Sequence, residues 1–180
     1  MVSPTFTLEQ GSLTDGVITL RELCEGDAVL YRSASDDDEI NRRLGTLPDS
    51  PDALVEKALE SWTNGSVATL VIVTPSGRAA GVVMVEPGHT SRANVGYWLL
   101  SEYKGSGYAT RAVVLASRWA FRSLGIRRLQ LFCEVDNASS LRVAERAGYR
   151  HEGTLRSYFQ IEDERTDALV YSLLPSDGVS

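Results

Sequence analysis

The chain has 180 residues, of which 43% are hydrophobic and 23% are charged, a composition typical of globular proteins. A chain of this length buries about 70% of its unfolded surface, so one domain can form a full core without a metal or a disulfide. The net charge of −6 argues against a general nucleic-acid-binding protein, and no hydrophobic run is long enough to span a membrane. We therefore expect a cytoplasmic protein that binds neither nucleic acid nor a membrane.

The first part of the chain predicts one strand followed by helices. Residues 1–16 are polar and rich in turn-forming residues, and we expect an extension or a loosely attached strand there. Alternation at 17–21 predicts a strand, and hydrophobic residues at near-helical spacing in 27–44 predict one or two short helices. The acidic run 36–39 is interpreted as solvated carboxylates at a helix start, because a metal site would need a different spacing and histidines. No metal site is therefore predicted.

The middle of the chain predicts a helix and then buried strands. The helix is expected to begin at Ser50-Pro51 and to run through Trp62. Hydrophobic runs at 68–73 and 79–85 flank a turn and predict a hairpin, and a further strand is predicted at 93–100.

The last part of the chain alternates helices and strands. Hydrophobic residues occupy most positions of 107–124, which predicts a nearly fully buried helix. A strand at 128–135, a helix at 137–147 and a final pair of strands at 149–159 and 167–174 are predicted after it.

These elements predict a single mixed α/β domain. Residues 17–174 contain no internal repeat and no linker, so 1–16 would be an N-terminal extension and 175–180 a C-terminal tail. Cys24 and Cys133 lie far apart and form no metal-spaced or redox pair, and we expect two buried free thiols rather than a bridge.

The segment 104–110 joins a predicted strand directly to a helix. Gly105 and Gly107 let the backbone turn tightly and let a ligand approach the main chain, and the small Ala109 keeps that approach open. The helix N-terminus presents free N–H groups and a positive dipole end, which together form an anion site. A plain strand–helix turn is the alternative. No lysine follows Gly107 as in a Walker loop, and Thr110 replaces the third glycine of a dinucleotide-binding loop.

Four segments in chain order carry a family resemblance. They are residues 19–28, the strand 95–99, the loop Lys104-x-x-Gly107-x-Ala109, and 133–149 with its helix start Asn137-x-x-Ser140. Together they resemble the GNAT (GCN5-related N-acetyltransferase) superfamily and, within it, the RimL/RimJ group, which acetylates the α-amino ends of ribosomal proteins. The resemblance extends over 18–174. The family's pyrophosphate loop usually begins with glutamine or arginine, so Lys104 is a mild departure.

This resemblance implies a single-domain GNAT fold, an α/β structure with a mixed twisted sheet that is splayed between two central parallel strands, and with helices on both faces. Splayed strands leave main-chain groups unpaired, and the amides of the pantetheine arm of acetyl-CoA can pair with them like an added strand. The side chain of Asn137 is a helix cap, a pantetheine contact, or both, and one of Arg142 and Arg146 either contacts the 3′-phosphate or belongs to a solvated helix face. The implied cofactor-binding residues are Trp98, Leu99, Leu100, Lys104, Gly105, Ser106, Gly107, Tyr108, Ala109, Thr110, Asn137, Arg142 and Arg146.

Acetyl transfer from a thioester to an amine needs a neutral amine, a donor for the oxyanion and a proton for the leaving thiolate. By resemblance Ser140 supplies that proton, although a serine in a first helical turn can also be only a cap. Part of the RimL group carries a glutamate where this chain has Phe159, so the general base is not identified. Glu134 and Glu86 are the nearest carboxylates in sequence, and each could be an ordinary surface group. The loop histidines His89 and His151 are further candidates, and an amine with a pKa of ~8 is partly neutral without any base.

Three functions are compatible with these residues. The first is acetylation of a protein N-terminal α-amine by direct attack in a ternary complex, the second is acetylation of a small amine such as an antibiotic, a polyamine or an amino acid, and the third is a non-catalytic acyl-CoA sensor. The absence of the glutamate at Phe159 keeps the third open. The loops 31–50, 86–92 and 159–166 would line the acceptor cleft, and their acidic residues suit any cation. A homodimer is compatible with the group.

Overall fold

The computed structural model describes residues 6–44, 50–161 and 164–178. Its strands are β1 (Ser12–Thr14), β2 (Thr19–Glu22), β3 (Ala68–Val73), β4 (Ala79–Pro87), β5 (Arg92–Leu99), β6 (Arg128–Glu134), β7 (Arg150–Ile161) and β8 (Glu164–Leu173). Its α-helices are α1 (Ala28–Ser35), α2 (Asp38–Leu44), α3 (Pro51–Asn64), α4 (Tyr108–Ser123) and α5 (Ala138–Arg146). The elements predicted from hydrophobic spacing are therefore present, with ends that shift by a few residues.

The strands form one mixed sheet in the order β1-β2-β3-β4-β5-β6-β8-β7. Among the described strands, only β5 and β6 pair in parallel, and they do so at their first residues, where Arg92 lies opposite Arg128 and Asn94 opposite Gln130. Beyond Asn94, the described parts of β5 and β6 form no further pairs. The sheet is thus splayed between two central parallel strands, as the resemblance implied.

Helices cover both faces of the sheet. Adjacent residues of β4 divide between two cores, since Val83 packs with α4 and Val82 packs with α1 and α3. Because each face is covered, β4 is a nearly continuous hydrophobic run rather than an alternating one. Fully burying one such side chain stabilises the fold by about 1.5–3 kcal/mol.

Helix ends follow local sequence signals. The Ser50 hydroxyl accepts a hydrogen bond from the Ala53 N–H at 3.3 Å, and Gly65 ends α3 in the left-handed conformation with φ of 74°. The segment 27–44 forms two α-helices, and Asp37 caps the second by accepting from the N–H groups of Glu39 and Ile40. The acidic run therefore does lie at a helix start.

The N-terminal segment belongs to the packed core from residue 6 onward. Phe6 is buried against the rings of Trp62 and Trp119, and the Trp119 indole donates to the Thr7 carbonyl at 3.0 Å. Further along, β1 pairs with β2. The described part of the expected extension is thus held by two hydrophobic anchors, Phe6 and Leu8, within a largely polar stretch.

The two cysteines differ in exposure. Cys133 is buried, but Cys24 is exposed, and both are free thiols. The prediction of two buried thiols was therefore wrong for Cys24, because the turn that precedes α1 directs this side chain outward.

In the C-terminal tail, Asp177 forms an ion pair with Arg150 at 2.9 Å. Within the described ranges, no helix is long and hydrophobic enough to cross a membrane.

Candidate active site

The opening between β5 and β6 is a cavity of about 370 Å³. Its walls come from β5, the loop after β5, the first turn of α4, one face of α5, β6, α2, Met84 of β4 and Phe159 of β7. The structure therefore brings together segments that are more than 100 residues apart in the sequence, such as Glu39 and Phe159. Most of the predicted site residues line this cavity, namely Trp98, Leu99, Lys104, Gly105, Gly107, Ala109, Thr110, Glu134, Asn137, Ser140, Arg142 and Arg146.

The loop before α4 has the backbone expected of an anion site. Gly105 and Gly107 have φ values of 79° and 80°, a region that favours glycine. A Cβ would meet no atom within 4 Å at either glycine, so the constraint is the backbone angle rather than crowding. Gly107 begins α4 without a capping side chain, which leaves the N–H groups of the first turn directed into the loop.

Two other predicted loop residues have different roles. Ser106 donates to the Tyr103 carbonyl, and Tyr108 is part of the hydrophobic packing around α4; neither lines the cavity. Leu100 also lies outside the cavity, in the core on the opposite face. Its N–H donates to Ala80 and its carbonyl accepts from Tyr103, both at 2.9 Å. A main-chain contact of Leu100 with pantetheine is therefore not supported, because both groups are already engaged.

Helix α2 contributes Arg43, which the sequence patterns did not predict, and Glu39, which was among the acidic residues expected at the acceptor cleft. Arg43 forms ion pairs with Glu134 and, at 3.3 Å, with Asp136, while Glu39 pairs with Lys104 at 2.6 Å. The Nε of Arg43 is buried without a hydrogen-bond partner on the cavity wall. No local motif marks these residues, since Arg43 and Glu134 are 91 positions apart.

At the start of α5, one side chain caps the helix and a different side chain faces the cavity. The Asn137 carboxamide oxygen accepts from the Ser140 N–H at 3.1 Å and from the Ser139 hydroxyl at 2.7 Å. Asn137 is therefore the cap of α5, and the Ser140 hydroxyl is free of that role. It accepts a hydrogen bond from the Tyr97 hydroxyl at 3.1 Å and lies 3.3 Å from the Cys133 sulfur.

Burial controls the titration of the groups around Ser140. It raises the pKa of Tyr97 to about 12, even though the hydrogen bond with Ser140 acts in the opposite direction. Burial also raises the pKa of the Cys133 thiol. Both groups are therefore neutral at physiological pH, so that Ser140 is surrounded by uncharged donors and acceptors.

The two candidate carboxylate bases have different surroundings from those expected. Glu134 lies in the cavity wall, but its carboxylate is ion-paired with Arg43. Glu86 is exposed and outside the cavity; it accepts from Asn94 at 3.4 Å and lines a separate concavity of about 440 Å³, together with His89. Neither is a free carboxylate beside Ser140. Glu134 is engaged because α2 supplies a cation, whereas Glu86 is exposed because it follows the buried Val85 on the pleated strand β4.

Other candidate groups are also located by the structure. His89 and His151 are exposed and do not line the cavity around Ser140. Phe159 does line it, at the position where part of the RimL group carries a glutamate. Residues 45–49 and Glu162-Asp163, which were expected to line the acceptor cleft, lie outside the described residues.

Known proteins share parts of this sequence. Residues 18–150 match the family described as an acetyltransferase (GNAT) domain. The ribosomal-protein-serine acetyltransferase of Escherichia coli (strain K12) is 32% identical over 80 residues, or 44% of this chain and 45% of that protein. Spermidine N(1)-acetyltransferase of the same strain is 32% identical over 100 residues, or 54% of each chain. The aligned part thus spans about half the length of these curated relatives.

A solved structure extends the likeness to nearly the whole fold. Mycobacterium smegmatis RimJ, in complex with CoA-disulfide, superposes with a TM-score of 0.81 at 22% identity, over 93% of this chain and 87% of that one. At this identity the likeness concerns the fold. Together with the family match over most of the domain, it confirms the expected architecture. The chain therefore belongs to the GNAT acetyltransferase family.

Proposed function

We propose that this protein transfers an acetyl group from acetyl-CoA to a primary amine by direct attack in a ternary complex. The observation that carries the proposal is the cavity between β5 and β6, which has an anion-binding helix N-terminus at one end and the Ser140 hydroxyl within it. A CoA-type ligand fits this arrangement, because it combines phosphates with an extended amide chain that ends in sulfur. The buried Nε of Arg43 offers an additional unused donor.

Each part of the ligand has matching groups in the cavity. The first-turn N–H groups of α4 would hold the pyrophosphate, whereas the Lys104 ammonium is already ion-paired with Glu39 at 2.6 Å. The main-chain groups of β5 beyond Asn94 that point toward β6 would pair with the pantetheine amides. Within the described residues Arg142 and Arg146 form no ion pair, and both are exposed on α5, so either is available to the 3′-phosphate.

The chemistry requires a proton at sulfur. Attack of the amine nitrogen on the thioester carbon breaks the carbon–sulfur bond, and the thiolate that leaves must be protonated. The Ser140 hydroxyl lies in the cavity, does not cap α5 and is 3.3 Å from the Cys133 sulfur. We assign it as the proton donor. No free carboxylate lies beside it among the described residues, so the amine would enter in its neutral form, which is partly populated at pH 7 for an α-amine of pKa ~8.

For the acceptor, we propose a protein N-terminal α-amine. The support is the RimL/RimJ resemblance together with the likeness to a ribosomal-protein-serine acetyltransferase. A small polyamine is the second candidate, favoured by the equal identity to spermidine N(1)-acetyltransferase. The acidic groups at the cavity, Glu39 and Glu134, are both ion-paired and therefore favour neither acceptor over the other.

A thiol-release assay distinguishes these functions. The protein is incubated with acetyl-CoA and either peptides with free N-termini or a panel of polyamines and aminoglycosides, and free CoA thiol is measured. Turnover with peptides alone is the expected result. Turnover with small amines alone would show that the acceptor is a small amine rather than a protein N-terminus. Tight CoA binding without turnover on any amine would contradict catalysis and favour a sensor.

A further inference from the structure

The hydroxyl of Tyr97 joins the two sides of the opening through Ser140. Tyr97 lies on β5 beyond the last pair with β6, and its hydroxyl donates to the Ser140 oxygen at 3.1 Å. The same oxygen is 3.3 Å from the sulfur of Cys133, which lies on β6. A serine on α5 is thus held between one side chain from each of the splayed strands.

The direction of the Tyr97 hydrogen bond determines what Ser140 can do. A phenol, with a pKa of ~10, is a better hydrogen-bond donor than an aliphatic alcohol. When Tyr97 donates, it occupies one lone pair of the Ser140 oxygen and leaves the serine proton available for another acceptor. Hydrogen bonds in series also polarise one another, so donation by Tyr97 strengthens Ser140 as a donor. The nearby Cys133 shows that a sulfur atom can lie within hydrogen-bond distance of this hydroxyl.

We propose that Tyr97 is a positioning residue for acetyl transfer, which orients and polarises the Ser140 hydroxyl so that its proton is directed to the leaving sulfur. This inference rests on the proposed function. In the step concerned, the new carbon–nitrogen bond forms and the carbon–sulfur bond breaks, with its electron pair going to sulfur. The Ser140 proton moves to that sulfur, and a proton released from the attacking nitrogen, through water, restores the serine. Tyr97 keeps its own proton throughout.

A second tyrosine provides a matched control. The Tyr149 hydroxyl is 2.8 Å from the hydroxyl of buried Ser117, so its hydrogen bond resembles that of Tyr97. Tyr149 is buried in the core around α4 and does not line the cavity. Replacing either tyrosine by phenylalanine removes one hydroxyl and one hydrogen bond to a serine, but only one of these serines lies in the cavity.

The test compares Tyr97→Phe with Tyr149→Phe in the full-length protein, with acetyl-CoA and the best amine acceptor. We expect Tyr97→Phe to lower kcat about tenfold, with the KM for acetyl-CoA unchanged within about twofold. Tyr149→Phe is expected to leave kcat unchanged. In a Ser140→Ala background, Tyr97→Phe should cause no further loss, because Tyr97 acts through the serine hydroxyl.

Several outcomes would overturn the inference. An unchanged kcat in Tyr97→Phe, a loss equal to that of Tyr149→Phe, or a full additional loss in the Ser140→Ala background would each do so. If Tyr97→Phe does not fold, a ring-fluorinated tyrosine is placed at position 97 instead. Because fluorination makes the phenol a stronger hydrogen-bond donor, we expect a kcat at least equal to that of the wild-type protein. A lower kcat would contradict the inference. Absence of turnover in the wild-type protein would instead overturn the proposed function, and this inference with it.

Discussion

At the scale of single residues, the first turn of α5 shows how two polar side chains divide two tasks. Both Asn137 and Ser140 are residue types that cap helices, and their spacing is compatible with either one as the cap. In the structure the Asn137 oxygen accepts from the Ser140 N–H, whereas the Ser140 hydroxyl faces Tyr97. This arrangement makes Ser140 the candidate for a chemical role.

Ser140→Ala is therefore expected to lower kcat about 100-fold, the lower end of what a general acid contributes. The KM for acetyl-CoA should change by no more than about twofold, because the removed proton is needed only as sulfur leaves. Steady-state kinetics with acetyl-CoA as the varied substrate measures both quantities.

Ser117→Ala is the matched control for this prediction. Ser117 is a buried helical serine whose hydroxyl donates to the Val113 carbonyl at 2.7 Å, away from the cavity. The kcat of Ser117→Ala should equal that of the wild-type protein. A Ser140→Ala variant with wild-type kcat would remove Ser140 from the mechanism.

At the scale of elements, a polar cluster ties three strands together at the start of β6, where this strand pairs with β5. Arg128 of β6 donates to Glu152 of β7 at 3.0 Å, and Ser172 of the intervening β8 donates to the same carboxylate at 2.6 Å. These hydrogen bonds, first from Arg128 and then from Ser172, lower the pKa of Glu152 from 4.5 to about 2. The cluster helps to hold β6 in the position from which it diverges from β5.

The lowered pKa predicts how the cluster responds to acid. Since Glu152 titrates lower in the folded state, its contribution to stability is complete above about pH 4.5 and is lost as pH falls toward about 2. The free energy of unfolding of the wild-type protein should thus exceed that of Glu152→Gln near neutral pH, by less than about 1 kcal/mol because the carboxylate is exposed. Urea unfolding of both proteins at a series of pH values measures this difference. A difference that grows on acidification would contradict the assignment.

Helix α2 is the element whose placement most changes the interpretation of the site. Asp37 accepts from the Ser101 N–H at 2.8 Å, Glu39 pairs with Lys104, and Arg43 pairs with Glu134. The helix is thereby attached to the loop that precedes α4 and to the end of β6. It forms one wall of the cavity and accounts for the engagement of Glu134.

At the scale of the whole molecule, the N-terminal segment joins the two helical layers. Phe6 contacts the ring of Trp62 on α3 and the ring of Trp119 on α4, and these two tryptophans are themselves stacked. Because α3 and α4 come from different parts of the chain, this aromatic cluster packs the N-terminal segment against two helices that are distant in sequence rather than against one sequence neighbour.

Phe6→Ala is expected to lower the free energy of unfolding by about 3–5 kcal/mol, through lost burial and the cavity that it leaves. Urea unfolding followed by tryptophan fluorescence measures this loss. Val29→Ala is the control, because Val29 is 70% exposed and its truncation should change stability by no more than about 0.5 kcal/mol. A loss in Phe6→Ala as small as that of the control would show that the segment is only loosely attached.

Hydrophobic spacing and helix-end signals were sufficient to predict most of the helices and strands, because they act over a few residues. The backbone of the loop at Gly105 and Gly107 was predictable for the same reason, since its positive φ angles and the helix that follows depend on adjacent residues. The buried position of Phe6 was harder to predict, because two hydrophobic residues in a polar stretch make no periodic pattern.

The family, the mixed α/β domain and the segments that line the cavity between β5 and β6 could be predicted from the sequence, because these depend on local backbone preferences and on motifs in a known order. Which side chains are free to act in that cavity depends on the tertiary structure. It pairs Glu134 with Arg43, leaves Glu86 at the surface, engages the main chain of Leu100 and brings Tyr97 to Ser140. The physical reason is that the hydrogen bonds and ion pairs of these groups involve partners that are distant in the chain, and local sequence patterns do not predict such partners.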